Sequence, residues 1–387
     1  MLRAGAGLST VREPRAAARE AAEAALVGAG GRADAALLFA TPDYGEDLPR
    51  LVDAAVECLG TEAVIGASAH GVLACGRESE GGPAVAVMAQ TGLATQPFLL
   101  TDLQGDEGLA GEEIAACLGD DPRPEDLVVL LPDPRVLQAG PLLEGARRAL
   151  APAQIVGAGA ADPTAHRSLQ WCGRKLATGS LAGMVLRGER VPRIGVTQAC
   201  RPATDWLTVT RAEGHWLCEL DGRPALEVYR EIARAPLADD LRRAAAFLLV
   251  ALPCDPEGSL RPGSYLVRNV MGFATEENAF AIPVQPKPGD RIALAIREPE
   301  AAREDLKAML EQVGSEPPGL GLYFNCCARG AGFFGIPGLE AAYLDNAFPE
   351  TPIAGMFGSH EVGPIGDPRA PSLELLTYTG VLALVDS

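Results

Sequence analysis

The chain has 387 residues, enough for two domains, and 48% of them are apolar, which excludes a disordered chain and supplies a sizeable core. Aromatic residues make up only 5%, so that core has to be built from Ala, Val and Leu. With 51 acidic against 33 basic residues the formal net charge is −18, which repels phosphate backbones and anionic lipid and argues against a nucleic-acid or membrane partner.

Nine cysteines form no C-x-x-C pair, and the odd count points to a reducing compartment. Residues Met1 to Thr10 contain no apolar core of signal-peptide length. No run approaches the roughly twenty apolar residues that span a bilayer. The chain reads as soluble and cytoplasmic.

The first predicted element is a helix, with Ser9 or Thr10 as its cap, Pro14 in its first turn and an Ala-rich body from Arg15 to Leu26. Gly28 to Gly31 stops it. A pattern then occurs three times: an apolar strand, a polar turn, an amphipathic helix and a short strand ending in Gly. The first copy runs from Ala35–Ala40 through a helix at about Asp47–Cys58 to Ala63–Gly71. The second runs from Leu127–Leu131 through Pro141–Leu150 to Gln154–Gly159. The third runs from Leu320–Phe324 through Leu339–Phe348 to Pro352–Gly358. Each reads as a βαβ crossover with two parallel strands, and the shared glycines predict a crowded approach at equivalent places. Between the copies lie alternating strands at Ala84–Met88, Leu181–Leu186, Ile194–Thr197, Leu207–Arg211, Trp216–Glu219, Tyr265–Phe273, Ala279–Ile282 and Arg291–Ile296. Helices are expected from Pro224 to Arg234, from Leu237 to Ala244 and from Glu298 to Val313. The fold class is α/β, with layered mixed sheets, flanking helices and two packed domains. The expected boundaries are residues 1–30 for the lead-in, 31–222 for the first domain and 223–387 for the second.

Candidate chemistry concentrates in the third copy. Cys326 follows a buried strand at the turn where α/β proteins place ligand sites. Near Arg329 its thiol is a candidate for redox or electrophile chemistry, and a small buried hydrophobe is the alternative. Cys327, turned the other way by strand alternation, is the expected core member. The adjacent pair suits neither a regular zinc site nor an easy disulfide. Arg329 either holds a ligand carboxylate in its fork or pairs with Glu361. Glu361 lies in a Gly-crowded segment, Gly358 to Gly366, and either binds or braces. His70 and His360 end equivalent strands and are candidate metal or haem ligands, a structural role being the alternative. Arg268 and Asn269, in an apolar strand before Gly272, contact a ligand or fix a turn. No Walker A loop, G-x-S-x-G, H-E-x-x-H or Rossmann fingerprint is present. A Cys326–His360–Glu361 hydrolase can be written, but adjacent strand residues face opposite sides.

Several blocks resemble the FIST family, with its N-terminal and C-terminal domains in tandem from about Gly5 to Leu384. They are Val64–Val72, Glu78–Val87, Leu220–Leu226, Val267–Gly272, Ala301–Leu306 and Tyr378–Leu384. The resemblance implies a cytoplasmic sensory module of bacterial signalling that binds a small amino-acid-like or other carboxylate ligand. Some bacterial members resemble haem-based nitric-oxide sensors, so haem is the alternative cofactor, and a thiol-dependent enzyme using Cys326 is a further alternative. The expected ligand-binding residues are Ser68, His70, Arg268, Asn269, Cys326, Arg329 and Glu361. Other members carry fused receptor or output domains, which this length leaves no room for, so the expected output is a signalling partner protein. His360 stands where the family has Gly before its Glu-Ile-Gly-Pro-Ile-Gly segment. Convergence of the Gly-ended strands on one crevice is expected, with the two domains related by a pseudo-two-fold.

Overall fold

Each repeated segment forms the parallel pair that its pattern predicts. Ala35–Ala40 pairs with Val64–Ser68, Asp126–Pro132 with Gln154–Ala158, and Leu320–Cys326 with Ile353–Gly358. The crossover helices are Leu48–Leu59, Ala139–Leu150 and Leu339–Ala347. These and all other details come from a computed structural model, which describes residues 1–162 and 168–386. The shared glycine has one cause in all three copies. A Cβ on Gly66, Gly157 or Gly355 would sit 1.7, 1.9 or 1.8 Å from the carbonyl oxygen of Leu38, Leu130 or Tyr323 on the paired strand. No side chain fits that approach.

Each pair lies at the centre of a six-stranded sheet of common design. A return strand pairs antiparallel with the first member: Val85–Thr91, Leu181–Arg187 or Thr379–Val385. An outer strand then pairs with each return strand: Arg3–Ser9, Ala94–Leu100 or Arg193–Gln198. The far edge is a hairpin donated by another copy. The first copy's hairpin, Gly71–Ala74 with Arg77–Glu80, joins the third sheet. The second copy's, Gln170–Cys172 with Lys175–Ala177, joins the first. The third copy's, Glu361–Asp367 with Ala370–Leu376, joins the second. Three units thus exchange hairpins in a closed cycle.

A ring of backbone hydrogen bonds closes the same cycle at the strand ends. His70 N–H donates to Phe357 O (2.9 Å), Ala161 to Ser68 O (2.8 Å) and Ser359 to Gly159 O (3.0 Å). The Gly-ended strands therefore converge, but about a pseudo-three-fold and not the expected two-fold. Hairpins from 71–80 and strands from 193–198 complete the sheet built on residues 320–385.

The opening differs from expectation. Arg3–Ser9 is a strand, and the helix Pro14–Ala29 is capped by the Glu13 carboxylate, which accepts from the backbone N–H of Arg15 and Ala16. The Ala- and Gly-rich strand has low β propensity and is held by the helix. A Cβ on Gly5 or Gly7 would meet Ala25 O or Ala21 O at 2.1 or 2.0 Å. The facing side of the helix is all Ala: Ala17, Ala18, Ala21, Ala22, Ala25 and Ala29. Small residues on both partners let backbones approach closely, which is how a core poor in aromatics packs to normal density.

The third unit alone carries a large insertion. Between Arg193–Gln198 and the helix Pro299–Gln312 the chain builds a separate nine-stranded sheet, starting at Cys200–Pro202 and ending at Arg291–Arg297. The fold is mixed α/β with four sheets. The expected single strand Tyr265–Phe273 is two, Tyr265–Arg268 and Gly272–Ala274. A strand at Leu248–Pro253 and a helix at Ala110–Leu118 complete the set.

Candidate functional site

The pseudo-symmetry points to a candidate site, because the residue three positions beyond the glycine-facing Leu38, Leu130 or Tyr323, at the end of the first strand, fills the same slot in every unit. It is Thr41 in the first, Asp133 in the second and Cys326 in the third, and each accepts a backbone N–H from the start of its return strand. Thr41 Oγ1 takes Ala84 N–H at 2.9 Å and Asp133 Oδ2 takes Gly179 N–H at 2.8 Å. Cys326 sulfur takes the N–H of Tyr378, and also that of Ala328. A neutral thiol is a weak acceptor, so the third unit places chemistry where the others place a good oxygen.

Three further substitutions surround this slot. At the base of the donated hairpin, Gln170 accepts from Ser180 Oγ at 2.7 Å in the second unit, and Glu361 accepts from Thr379 Oγ1 at 2.6 Å in the third. Glu361 is fully buried and its Oε1 has no hydrogen-bond partner among the described residues. Burial, with Cys326 beside it, pushes its carboxyl well above the usual range. Gly179 of the second unit has φ 63°, and its counterpart Tyr378 holds φ 59°. That left-handed backbone strains a bulky residue by about 1–3 kcal/mol, which the ring's contacts offset. Tyr378 OH donates to Asn269 Oδ1 at 2.5 Å, and its ring lies 5.6 Å from the guanidinium of Arg297. Burial raises its phenol to about 12. Arg297, the last residue of the inserted sheet, also stacks 4.4 Å over Phe333 and donates to Ala328 O in the turn after Cys327.

The thiols divide oppositely to expectation. Cys326 is buried and Cys327 is partly exposed. Contact with the Cys327 thiol together with burial holds Cys326 well above the usual thiol range. The same contact brings Cys327 below it, with burial and Glu361 opposing and Arg297 assisting. Cys327 and not Cys326 is the partly exposed thiol, because the short Cys327–Arg329 helical turn breaks strand alternation.

Arg329 is fully buried and pairs with Glu340, with its Nε at 3.1 Å and a second, shorter contact from Nη2. The expected pairing with Glu361 gives way to this one because the helix Leu339–Ala347 presents Glu340 to the guanidinium. Tyr323 OH (3.3 Å) and Asn325 Nδ2 also donate to Glu340. Burial opposes the Arg329 charge, but Glu340 more than offsets it and keeps the guanidinium above its ordinary range. Nη1 is left without a hydrogen-bond partner among the described residues. Glu78, from the hairpin donated by the first unit, accepts Ala341 N–H at 2.7 Å at the start of that helix, and burial raises its carboxyl to about 7.

The other expected residues lie elsewhere. Ser68 Oγ accepts Leu169 N–H at 3.0 Å, and His70 belongs to the hydrogen-bond ring. His360 is buried in that junction, its Nδ1 3.1 Å from Ser359 Oγ and its ring packed on Gly159. Burial lowers it to about 4, and Nε2 has no hydrogen-bond partner among the described residues. The ring offers no open face to a haem macrocycle, so the junction does not fit that group. Arg268 and Asn269 line a groove of about 570 Å³ with Leu143, Arg147, Glu374 and Thr377. Asn269 alone reaches the thiol site, through Tyr378. The structure therefore joins Cys326, Glu361 and Asn269, sets Arg329 behind them, and leaves Ser68, His70 and Arg268 apart.

The FIST N domain matches residues 34–223 and the FIST C domain residues 225–364. The chain belongs to the FIST family. Its domains are sensory modules of signal transduction. The chain is 30% identical over 394 residues to the uncharacterized protein Rv0628c of Mycobacterium tuberculosis, covering 99% of each. It is 27% identical over 391 residues to the uncharacterized protein Mb0898c of Mycobacterium bovis, covering 99% of this chain and 98% of that one. The junction between the two FIST domains, near residue 224, falls inside the inserted sheet, next to the helix Ala225–Ala233. No helix among the described residues is long and apolar enough to cross a membrane.

Sequence reasoning missed Arg297, Tyr378, Thr379 and Glu340. A charged residue closing an apolar strand before Pro299 was a usable signal for Arg297. Nothing local marks the other three.

Proposed function

We propose that this FIST protein is a non-catalytic cytoplasmic sensor of a small polar ligand, with its input site around Cys326, Glu361, Asn269, Tyr378 and Arg297. One observation carries the reading. In the third unit alone, beside the inserted sheet, positions that serve as plain structural acceptors elsewhere hold a thiol and an acid with an unsatisfied buried oxygen. Such a group costs stability unless something pairs with it, and an amino acid or other small carboxylic acid offers both donors and acceptors. Arg297 lies beside the Tyr378 ring and joins the inserted sheet to the Cys327–Arg329 turn. A change at the thiols therefore reaches the insertion, the surface from which a partner protein reads the state. A Cys326–His360–Glu361 hydrolase is disfavoured because, among the described residues, no hydrogen bond joins His360 to Cys326 or Glu361: its Nδ1 meets Ser359 and its Nε2 meets neither.

A thermal-shift screen of the reduced protein with amino acids, other small acids, haem and metal ions tests the reading. A ligand at about a hundred times its Kd stabilises by about 2.7 kcal/mol, and Glu361→Gln should remove that shift. Absence of any stabilising compound, together with product formation lost in Cys326→Ala, would replace the sensor by an enzyme.

A further inference from the structure

We propose that Cys326 and Cys327 form a peroxide-reactive dithiol, in which Cys327 is the attacking sulfur, Cys326 the resolving sulfur, and a vicinal disulfide the product. This rests on reading the site as sensory and names hydroperoxides as a second class of input.

The geometry assigns the roles. Cys327 is partly exposed and Cys326 buried, so only Cys327 meets a solute. The two cysteines are neighbours in the chain, at the end of a strand and the start of a helical turn, which keeps the resolving thiol beside the attacking one. Contact with Cys326 and the charge of Arg297 favour the thiolate form of Cys327, against burial and the neighbouring Glu361, and a thiolate is the nucleophile in such reactions.

Two balanced steps follow. The Cys327 thiolate attacks one oxygen of hydrogen peroxide and the O–O bond breaks. The departing hydroxide takes a proton and leaves as water, and Cys327 becomes a sulfenic acid, oxidised by two electrons. Cys326 sulfur then attacks Cys327 sulfur, the S–O bond breaks, and the hydroxide leaves as water with the Cys326 proton. The sum is two thiols and one peroxide giving one disulfide and two waters.

Adjacent Cα atoms lie about 3.8 Å apart across a trans peptide, below the usual span of a disulfide, roughly 4.4–6.8 Å. A bridge here is strained, and strained bridges are the readily reduced, regulatory kind. It also remakes the backbone at Ala328, whose carbonyl holds Arg297 of the inserted sheet. Oxidation is thereby coupled to the insertion.

The test exposes the reduced full-length protein to hydrogen peroxide, blocks remaining thiols by alkylation, and maps the digest by mass. The peptide holding both cysteines should lose two hydrogens, resist alkylation, and recover both thiols in dithiothreitol. Cys327→Ser should slow its reaction at least about tenfold, as loss of the thiolate requires. Cys326→Ser should react and stop at a sulfenic acid that dimedone traps. Near-UV circular dichroism checks the fold of each variant, with Cys327→Ala as a second variant if the serine disturbs it. Oxidation of the exposed Cys75 and Cys117 with the pair left reduced would overturn the proposal. So would a Cys200–Cys326 bridge as the product, or unchanged reactivity in Cys327→Ser. If the pair is inert while small acids still stabilise the reduced protein, only the peroxide inference falls. If the pair reacts and no acid stabilises, the ligand reading falls instead.

Discussion

The second and third units build the same backbone and fill it with opposite chemistry. Asp133, Gln170, Ser180 and Gly179 form a neutral-amide, unstrained set in one, with Gln170 Nε2 lacking a hydrogen-bond partner among the described residues; Cys326, Glu361, Thr379 and Tyr378 occupy those places in the other. The scaffold needs an acceptor at the first slot and tolerates a neutral pair at the second. It does not need an acid with a bare oxygen, a thiol, or a tyrosine in a glycine conformation. Features that the fold does not require are gathered in one unit of three, and the proposed input site is drawn from them.

The largest effect expected on this contrast comes from the buried pair behind the site. Arg329→Met strands Glu340 and should cost about 3–5 kcal/mol in urea unfolding, whereas Arg329→Lys, which keeps the charge, should cost less. An Arg329→Met variant with wild-type stability would remove the bracing role.

Exchanging the hairpin-base residues sharpens the comparison directly. Gln170→Glu puts an acid into a slot built for an amide and should cost about 1–3 kcal/mol. Glu361→Gln should leave stability unchanged or raise it, measured by the same denaturation. Loss on Glu361→Gln equal to that on Gln170→Glu would mean that both units use the slot for stability alone.

The buried ionisable groups predict two opposed pH dependences. Glu78 is raised to about 7 in the fold, so the folded state binds the extra proton. Its stabilisation is full below the unfolded carboxyl range and is lost as pH rises through 7. His360 is lowered to about 4, so its contribution is present above the unfolded histidine value and is lost as pH falls toward 4. Melting curves should show Glu78→Gln flattening the neutral side and His360→Gln flattening the acid side.

The smallest effect is expected at Tyr378. Tyr378→Gly relieves backbone strain of about 1 kcal/mol but loses the Arg297 contact and the Asn269 bond, so its melting temperature should stay near the wild type. Ligand stabilisation should nevertheless disappear. A variant that melts unchanged and still binds would show that the strained tyrosine serves neither purpose.

The repeated βαβ pattern, the Ala-dominated core and the crowded glycines were all determined by the sequence. Each rests on local periodicity, or on a glycine whose absent side chain has a short-range cause. The concentration of chemistry in the third copy was also legible, since Cys326, Arg329 and Glu361 are unusual residues among small ones. Three-fold symmetry was not legible, because every hairpin completes another unit's sheet and no local signal names the acceptor. The Arg3–Ser9 strand was equally hidden, being too poor in β-formers to stand without the helix against it. Tertiary structure alone decided that Arg329 faces Glu340, that Cys327 and not Cys326 meets solvent, and that Arg297 closes the site. Each of these depends on which surface a side chain meets after distant segments pack, and burial, charge pairing and thiol acidity are all set at that step.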